Sequence, residues 1–159
     1  MDQIAWLEQS AFATWLRESS WALFALLILH TLTMGAIVGL ALASCARLFG
    51  LASTVSLPAF GRLTPILGWA LLAAAVSGLL LVAAYPAKAL TNPLFYVKLA
   101  MAASAAAIAW TLQRRGFAAN VASAPSWAPK LAALGAGLWI ATLTAGKFLA
   151  YTHKMLLVG

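Results

Sequence analysis

The stretch WALFALLILHTLTMGAIVGLALAS, Trp21 to Ser44, runs 24 residues with no acidic residue, no lysine or arginine, and one histidine, His30. A helix on the surface of a soluble protein carries a polar face opposite its apolar one. No helical arrangement of this stretch supplies one. About 20 apolar residues cross the hydrocarbon core of a bilayer, so the stretch reads as a membrane span. Three more follow: Leu63 to Ala84, Pro93 to Leu112 and Leu131 to Tyr151, none of which contains Asp or Glu. In lipid an isolated span has to pair its own backbone N–H and C=O groups, so each of the four is helical. The runs are continuous and rich in Ala and Leu, not alternating, which excludes a β-barrel.

Composition agrees. Of 159 residues, 64% are apolar and 8% charged, whereas a soluble domain carries about 25% charged residues. The connections are short: Gly50 to Gly61 with Pro58, Pro86 to Asn92, and Gly116 to Pro129. Pro93 suits the first turn of the third helix. Short links force antiparallel neighbours, so the expected fold is an all-α membrane protein, an antiparallel four-transmembrane-helix bundle occupying residues 21–159. Residues 1–20 form a separate lead-in. Ile4, Leu7, Ala11 and Trp15 recur at helical spacing within residues 2–18, which predicts one amphipathic helix lying in the membrane interface. Ser19 and Ser20 are candidate N-caps for the first span.

A net charge of +7 in a soluble chain would point to nucleic acid; here it points to topology, and no nucleic-acid partner is expected. Arg47 and Arg62 flank the first connection, and Arg114, Arg115 and Lys130 flank the third. Arg17, Lys88 and Lys154 lie on the other side, with the acidic Asp2, Glu8 and Glu18 near the N-terminus. The basic excess places both termini outside the cytoplasm. The first 20 residues hold acidic groups and no basic stretch ahead of an apolar core, so no cleavable signal peptide is expected. Cys45 is the one cysteine, which excludes an intrachain disulfide and a Cys-based metal cluster.

Small residues mark candidate helix contacts. Gly35 and Gly39 form a GxxxG in the first span; Ala70, Ala74 and Gly78 continue the pattern in the second; Ala102 to Ala109 is almost wholly small in the third. Lipid offers no hydrophobic drive between helices, so close backbone approach over small residues has to supply the association. Gly35 or Gly39 is expected in such a contact, within the protomer or between copies.

Ionisable groups inside a bilayer are costly and mark functional sites. His30, nine residues and ~14 Å into the first span, lies too deep to reach water. Lys98 lies five residues into the third span and Lys147 four before the end of the fourth, so alternating helix direction brings all three into the outer half. Either lysine can snorkel to the interface; the alternative is that the two cations hold an anionic group such as a haem propionate or a lipid phosphate. Tyr85, Asn92, Tyr96, Tyr151 and His153 gather near the same surface. Met34 shares the face of His30, and Met101, ~12 Å into its span, shares the face of Lys98. His30 and Met101 can therefore meet as an axial pair for haem iron, and His30, Met34 and Met101 also suit copper. The alternative is a structural His30, bonded to a threonine or a carbonyl. There is no HExxH, no GxSxG, no phosphate loop and no carboxylate pair, so no independent catalytic activity is expected.

These residues carry a resemblance. The run Trp21 to Gly50, with His30 in ILHTLTMG ahead of Arg47-Leu48-Phe49-Gly50, resembles an uncharacterised bacterial family of four-span inner-membrane proteins. Asn92-Pro93-Leu94-Phe95-Tyr96-Val97-Lys98 is similar to that family's Asn-Pro-x-Phe-x-x-Lys motif, and Gly146-Lys147-Phe148-Leu149-Ala150-Tyr151 to its terminal Gly-Arg-x-x-Ala-Tyr. The family's acidic residue before Arg47 is Ala46 or Cys45 here, and its fourth-helix Arg is Lys147, which keeps the charge but loses the bidentate fork. The resemblance implies a bacterial inner-membrane protein and no particular activity.

The sequence thus leads to an electron-transfer module whose outer-half pocket, built on His30, Lys98, Lys147 and Met101, takes haem b or a quinone. An accessory subunit of a larger membrane complex without its own cofactor is the rival class, and copper or other metal handling through His30, Met34 and Met101 a third. A homodimer fits the need for a second axial ligand. Topology is open to a direct test. A periplasm-active reporter fused at the C-terminus should be active and one fused near Gly116 silent; activity only in the loop fusion overturns the orientation.

Overall fold

A computed structural model describes residues 2–51, 53–117 and 123–155, with side chains from residue 5 to residue 149 within those segments. The side chains of Tyr151, His153 and Lys154 lie outside the described residues. The chain is helical throughout, with no strand among the described residues: α1 (Asp2–Glu8), α2 (Ala11–Glu18), α3 (Ala22–Leu48), α4 (Leu57–Gly61), α5 (Thr64–Ala84), α6 (Pro86–Leu90), α7 (Pro93–Thr111) and α8 (Ala128–Met155). α3, α5, α7 and α8 are each long and apolar enough to cross a bilayer, and they form the antiparallel bundle of a multi-pass membrane protein. The face bearing α1 and α2 is called the terminal face below, and the face of Arg47, Arg62 and Arg114 the arginine face.

The lead-in is two helices, not one. Ser10 interrupts it by accepting the Ala13 N–H at 3.2 Å, an N-cap that starts α2 and ends the amphipathic run predicted over 2–18. Ala13 and Leu16 turn inward, while Trp6, Phe12, Trp15 and Trp21 stay exposed as amphipathic rings near the bundle's end, as in an interfacial aromatic belt. Arg17 fastens the pair: its guanidinium donates to the Ala84 carbonyl at 2.8 Å and to the Glu8 carbonyl at 2.6 Å. Ala84 closes α5, so Arg17 satisfies a carbonyl that a helix end leaves open. Ser19 then accepts the Ala22 N–H at 3.3 Å and helps begin α3.

α3 runs a turn past Ser44 and stops at Gly50, whose φ of +87° only glycine adopts without strain. Gly50 N–H donates to Arg47 O at 3.1 Å and Leu51 N–H to Ala46 O at 3.0 Å, a Schellman ending that satisfies the last carbonyls. Two connections expected as loops contain short helices. α4 buries Leu57 and Phe60 against Phe117, the two rings stacking at 5.3 Å; α6 buries Pro86 and Ala89 under the terminal face. Apolar residues in a connection are costly to leave in water, and folding each into a turn of helix buries them. Asn92 caps α7 by accepting the Leu94 N–H at 3.0 Å. α7 ends in a π-helical turn, Leu112–Gly116, where Arg114 lies 4.7 Å over the Trp110 ring.

α3 is the organising helix: it packs on α5 and on α8, and α8 packs along α7. α5 and α7 approach each other little among the described residues. Three buried layers stack along the bundle. Leu16, Ala22, Leu26 and Ala84 fill the terminal-face layer, Met34, Ile37, Leu67, Ala74, Ala105 and Trp139 the middle, and Leu48, Phe60, Leu112, Phe117, Ala128 and Ala132 the arginine-face layer. Large apolar side chains such as Leu32, Trp69 and Leu79 point outward, as lipid contact permits.

The small-residue seams are right for α5 and α7 and wrong for α3 within one protomer. Ala74 is buried, Ala105 wholly so, and Gly78 meets the His30 ring. At Gly35 and Gly39, by contrast, a Cβ would find nothing within 4 Å, and both are exposed. The reason is rotational: Met34 and Ile37 are the α3 residues turned into the core, and Gly35 and Gly39 lie off that arc. The close approach falls instead at Gly135, where a Cβ would stand 2.8 Å from Ile108 Cγ2. Gly135→Leu should therefore cost about 1–3 kcal/mol by overpacking, while Gly35→Leu in a monodisperse monomer should be near neutral. Denaturant titration in detergent compares them; equal losses from the two substitutions would remove the assignment of the seam.

Candidate functional site

His30 sits on the second to third turn of α3 and turns toward α5. Its Nδ1 lies 2.9 Å from Ser77 Oγ. Ser77, wholly buried, is the one hydroxyl between Pro65 and Ala84. Ser77 Oγ donates to Ala73 O at 2.6 Å, with Ala74 O at 3.2 Å. A hydroxyl has one proton. With that proton spent on its own helix, Ser77 can only accept from the imidazole, so the neutral ring carries its hydrogen on Nδ1. Nε2 then carries the lone pair, a base for a proton donor or a metal. The ring is also held by shape: Gly78 lies under it, and a Cβ there would come within 3.3 Å of Cε1. One turn of α5, Ser77 and Gly78, thus sets both the tautomer and the orientation.

Lys98 comes from α7 and lies across α8. Its Nζ and Cε stand 3.3 and 3.4 Å from where a Gly146 Cβ would be, so the absence of a side chain at Gly146 gives the lysine stem its bed. Lys98 is half-buried, and its ammonium is near enough to be felt at His30. No carboxylate occurs in any span. The two groups come from α3 and α7 and both lie in the terminal-face half, His30 against α5 and Lys98 against α8.

The other residues singled out by sequence fall elsewhere. Lys147, next to Gly146, is a third of a helical turn away and exposed. Met34 is buried in the middle layer with Ile37, Leu67 and Trp139, where it packs as an apolar side chain. Met101, one turn beyond Lys98 on the same face, is partly buried. Among the described residues no group of three or more His, Cys, Asp or Glu converges. Tyr96 donates to Leu90 O at 2.9 Å and secures the α6–α7 corner.

Sequence reading missed Ser77 and, although it quoted Gly146 within a motif, gave that glycine no role; both left a trace. Ser77 is an isolated hydroxyl in an otherwise apolar span, and Gly146 precedes one of the intramembrane lysines. It also missed Gln113, 6% exposed, whose Oε1 lies 3.1 Å from Thr64 Oγ1 and joins α7 to α5 near the arginine face.

Fold and site together define a four-helix multi-pass membrane bundle with a cationic, imidazole-bearing polar site in one half. Comparison with known protein families, curated proteins and solved structures finds no match.

The tautomer is measurable. Nitrogen NMR of His30 should show a protonated Nδ1 and a bare Nε2, and Ser77→Ala should mix the tautomers and cost about 1–3 kcal/mol by leaving Nδ1–H unpaired. A ring protonated on Nε2 in the unsubstituted protein contradicts the hydrogen-bond assignment.

Proposed function

We propose that this protein is an electron-transfer module of the bacterial inner membrane, its termini on the periplasmic side, which binds quinone or haem b at His30 and Lys98. The observation that carries the reading is the bare Nε2 of a deeply placed His30 beside the Lys98 ammonium, with no carboxylate in the spans. A cation and a lone pair carried into membrane spans are costly alone, and a ligand that offers one an acceptor and the other a proton or a Lewis acid relieves both. The likeness to a bacterial four-span family, which falls on the same residues, supports the location.

A quinone headgroup suits the pair directly. Lys98 donates to a quinone oxygen, and His30 Nε2 accepts the O–H of the reduced form. Haem b is favoured by one further observation: the Nδ1–H of His30 donates to Ser77, the kind of second contact that orients an axial histidine. In that case His30 Nε2 would hold the iron, Met101 is the candidate for the other side, and Lys98 would contact a propionate. Either group, when bound, supplies reversible electron transfer. A copper site is less favoured, because Met34 packs in the apolar middle layer.

Absorption spectra of protein purified with haem available separate these outcomes. A b-type Soret band and reduced α-band, lost in His30→Ala and weaker but unshifted in Lys98→Ala, are expected for haem. Colourless protein whose unfolding temperature rises with added quinone, and rises less in Lys98→Ala, is expected for quinone. Colourless protein indifferent to quinone overturns both and leaves the accessory-subunit reading.

A further inference from the structure

The arginine-face half of the bundle contains a second polar site, remote from His30. Trp139 on α8 is 2% exposed, and its indole Nε1 is the one buried side-chain nitrogen or oxygen without a hydrogen-bond partner among the described residues. In hydrocarbon an unpaired donor has no water to turn to, and an indole N–H in a core normally finds an acceptor. Trp139 lines a cavity of about 20 Å³ together with Ser44, Gln113, Ala109, Gly135 and Ala136.

Three polar side chains reach this cavity from three helices. Side chains on a helix lean toward its N-terminus. α8 starts at the arginine face, so Trp139 leans down toward Gly135 and Ala136. α3 and α7 start at the terminal face, so Ser44 and Gln113 lean up toward it. From opposite directions the three arrive at one level, roughly 10 Å inside the arginine face at 1.5 Å per residue. Ser44 is 6% exposed and, unlike Thr33, Ser77, Thr111, Thr142 and Thr144, makes no bond back to its own helix among the described residues. Gln113 has its Oε1 3.1 Å from Thr64 Oγ1, and its side chain also lines the cavity.

We propose that this cavity binds one water molecule, which accepts from Trp139 Nε1–H and is also bonded by the Gln113 amide and the Ser44 hydroxyl. The volume decides the ligand's size, since a cavity needs about 10–15 Å³ to hold a water, and 20 Å³ leaves room for little more. The donors decide its chemistry. A cation would face N–H hydrogens, and an anion would lie in hydrocarbon with no buried cation lining the cavity. A water with three polar partners matches the usual coordination of buried waters, and it links α3, α7 and α8 while meeting the Trp139 N–H.

The test uses the whole protein, nitrogen-15 labelled, in lipid nanodiscs. The Trp139 indole N–H is identified among the seven tryptophans by its disappearance in Trp139→Phe, or by through-bond assignment if that variant does not fold. The expected result in the unsubstituted protein is a water cross-peak at this N–H, reduced severalfold or lost in Ser44→Ala together with a shift of the resonance. A Trp139 N–H without a water cross-peak overturns the proposal, as does a cross-peak and shift identical in Ser44→Ala. Neither result depends on whether His30 and Lys98 bind a redox group.

Discussion

Hydrocarbon offers a folded chain no hydrogen-bond partner, so every polar group carried into the membrane must be met from within the protein. Most of this molecule's local structure follows from that constraint. Backbone groups pair inside long helices, and the side-chain hydroxyls of Ser77, Thr111, Thr142 and Thr144 turn back to carbonyls four residues earlier. Helix ends are closed by Gly50, by the Asn92 and Ser10 caps, and by Arg17 reaching across to Ala84. Against this near-complete pairing, the groups left over are informative. Among the described residues they include His30 Nε2 and the Lys98 ammonium in the terminal-face half, and the Trp139 indole N–H with Ser44 Oγ nearer the arginine face.

Packing follows a second consequence of the same solvent. Apolar side chains gain nothing by leaving lipid for a helix interface, so the layers are built from residues that allow close approach. Ala74, Ala105, Ala132, Ala136 and Gly135 let α3, α5, α7 and α8 come together around the larger Ile37, Leu67 and Trp139. The same economy shapes the candidate site. Gly78 and Gly146 receive the His30 ring and the Lys98 stem, so that two polar side chains are held by the absence of two others. A Cβ at either position would press on the polar side chain at 3.3 Å.

Sequence alone determined the four spans, their helical state and their antiparallel order, because an apolar run of that length has one solution in lipid and short links permit one arrangement. It also singled out His30 and Lys98, since charge and depth along a span can be counted from the residues. Tertiary structure decided what counting cannot reach. Helix rotation put Met34 and Ile37 in the core and left Gly35 and Gly39 outside it; one partner, Ser77, chose the tautomer of His30; and the direction in which side chains lean brought Ser44, Gln113 and Trp139 to one level. Each of these depends on the angle at which one helix faces another. That angle leaves little mark on a span whose every face is apolar, because the periodic contrast that reveals the buried side of a soluble helix is missing here.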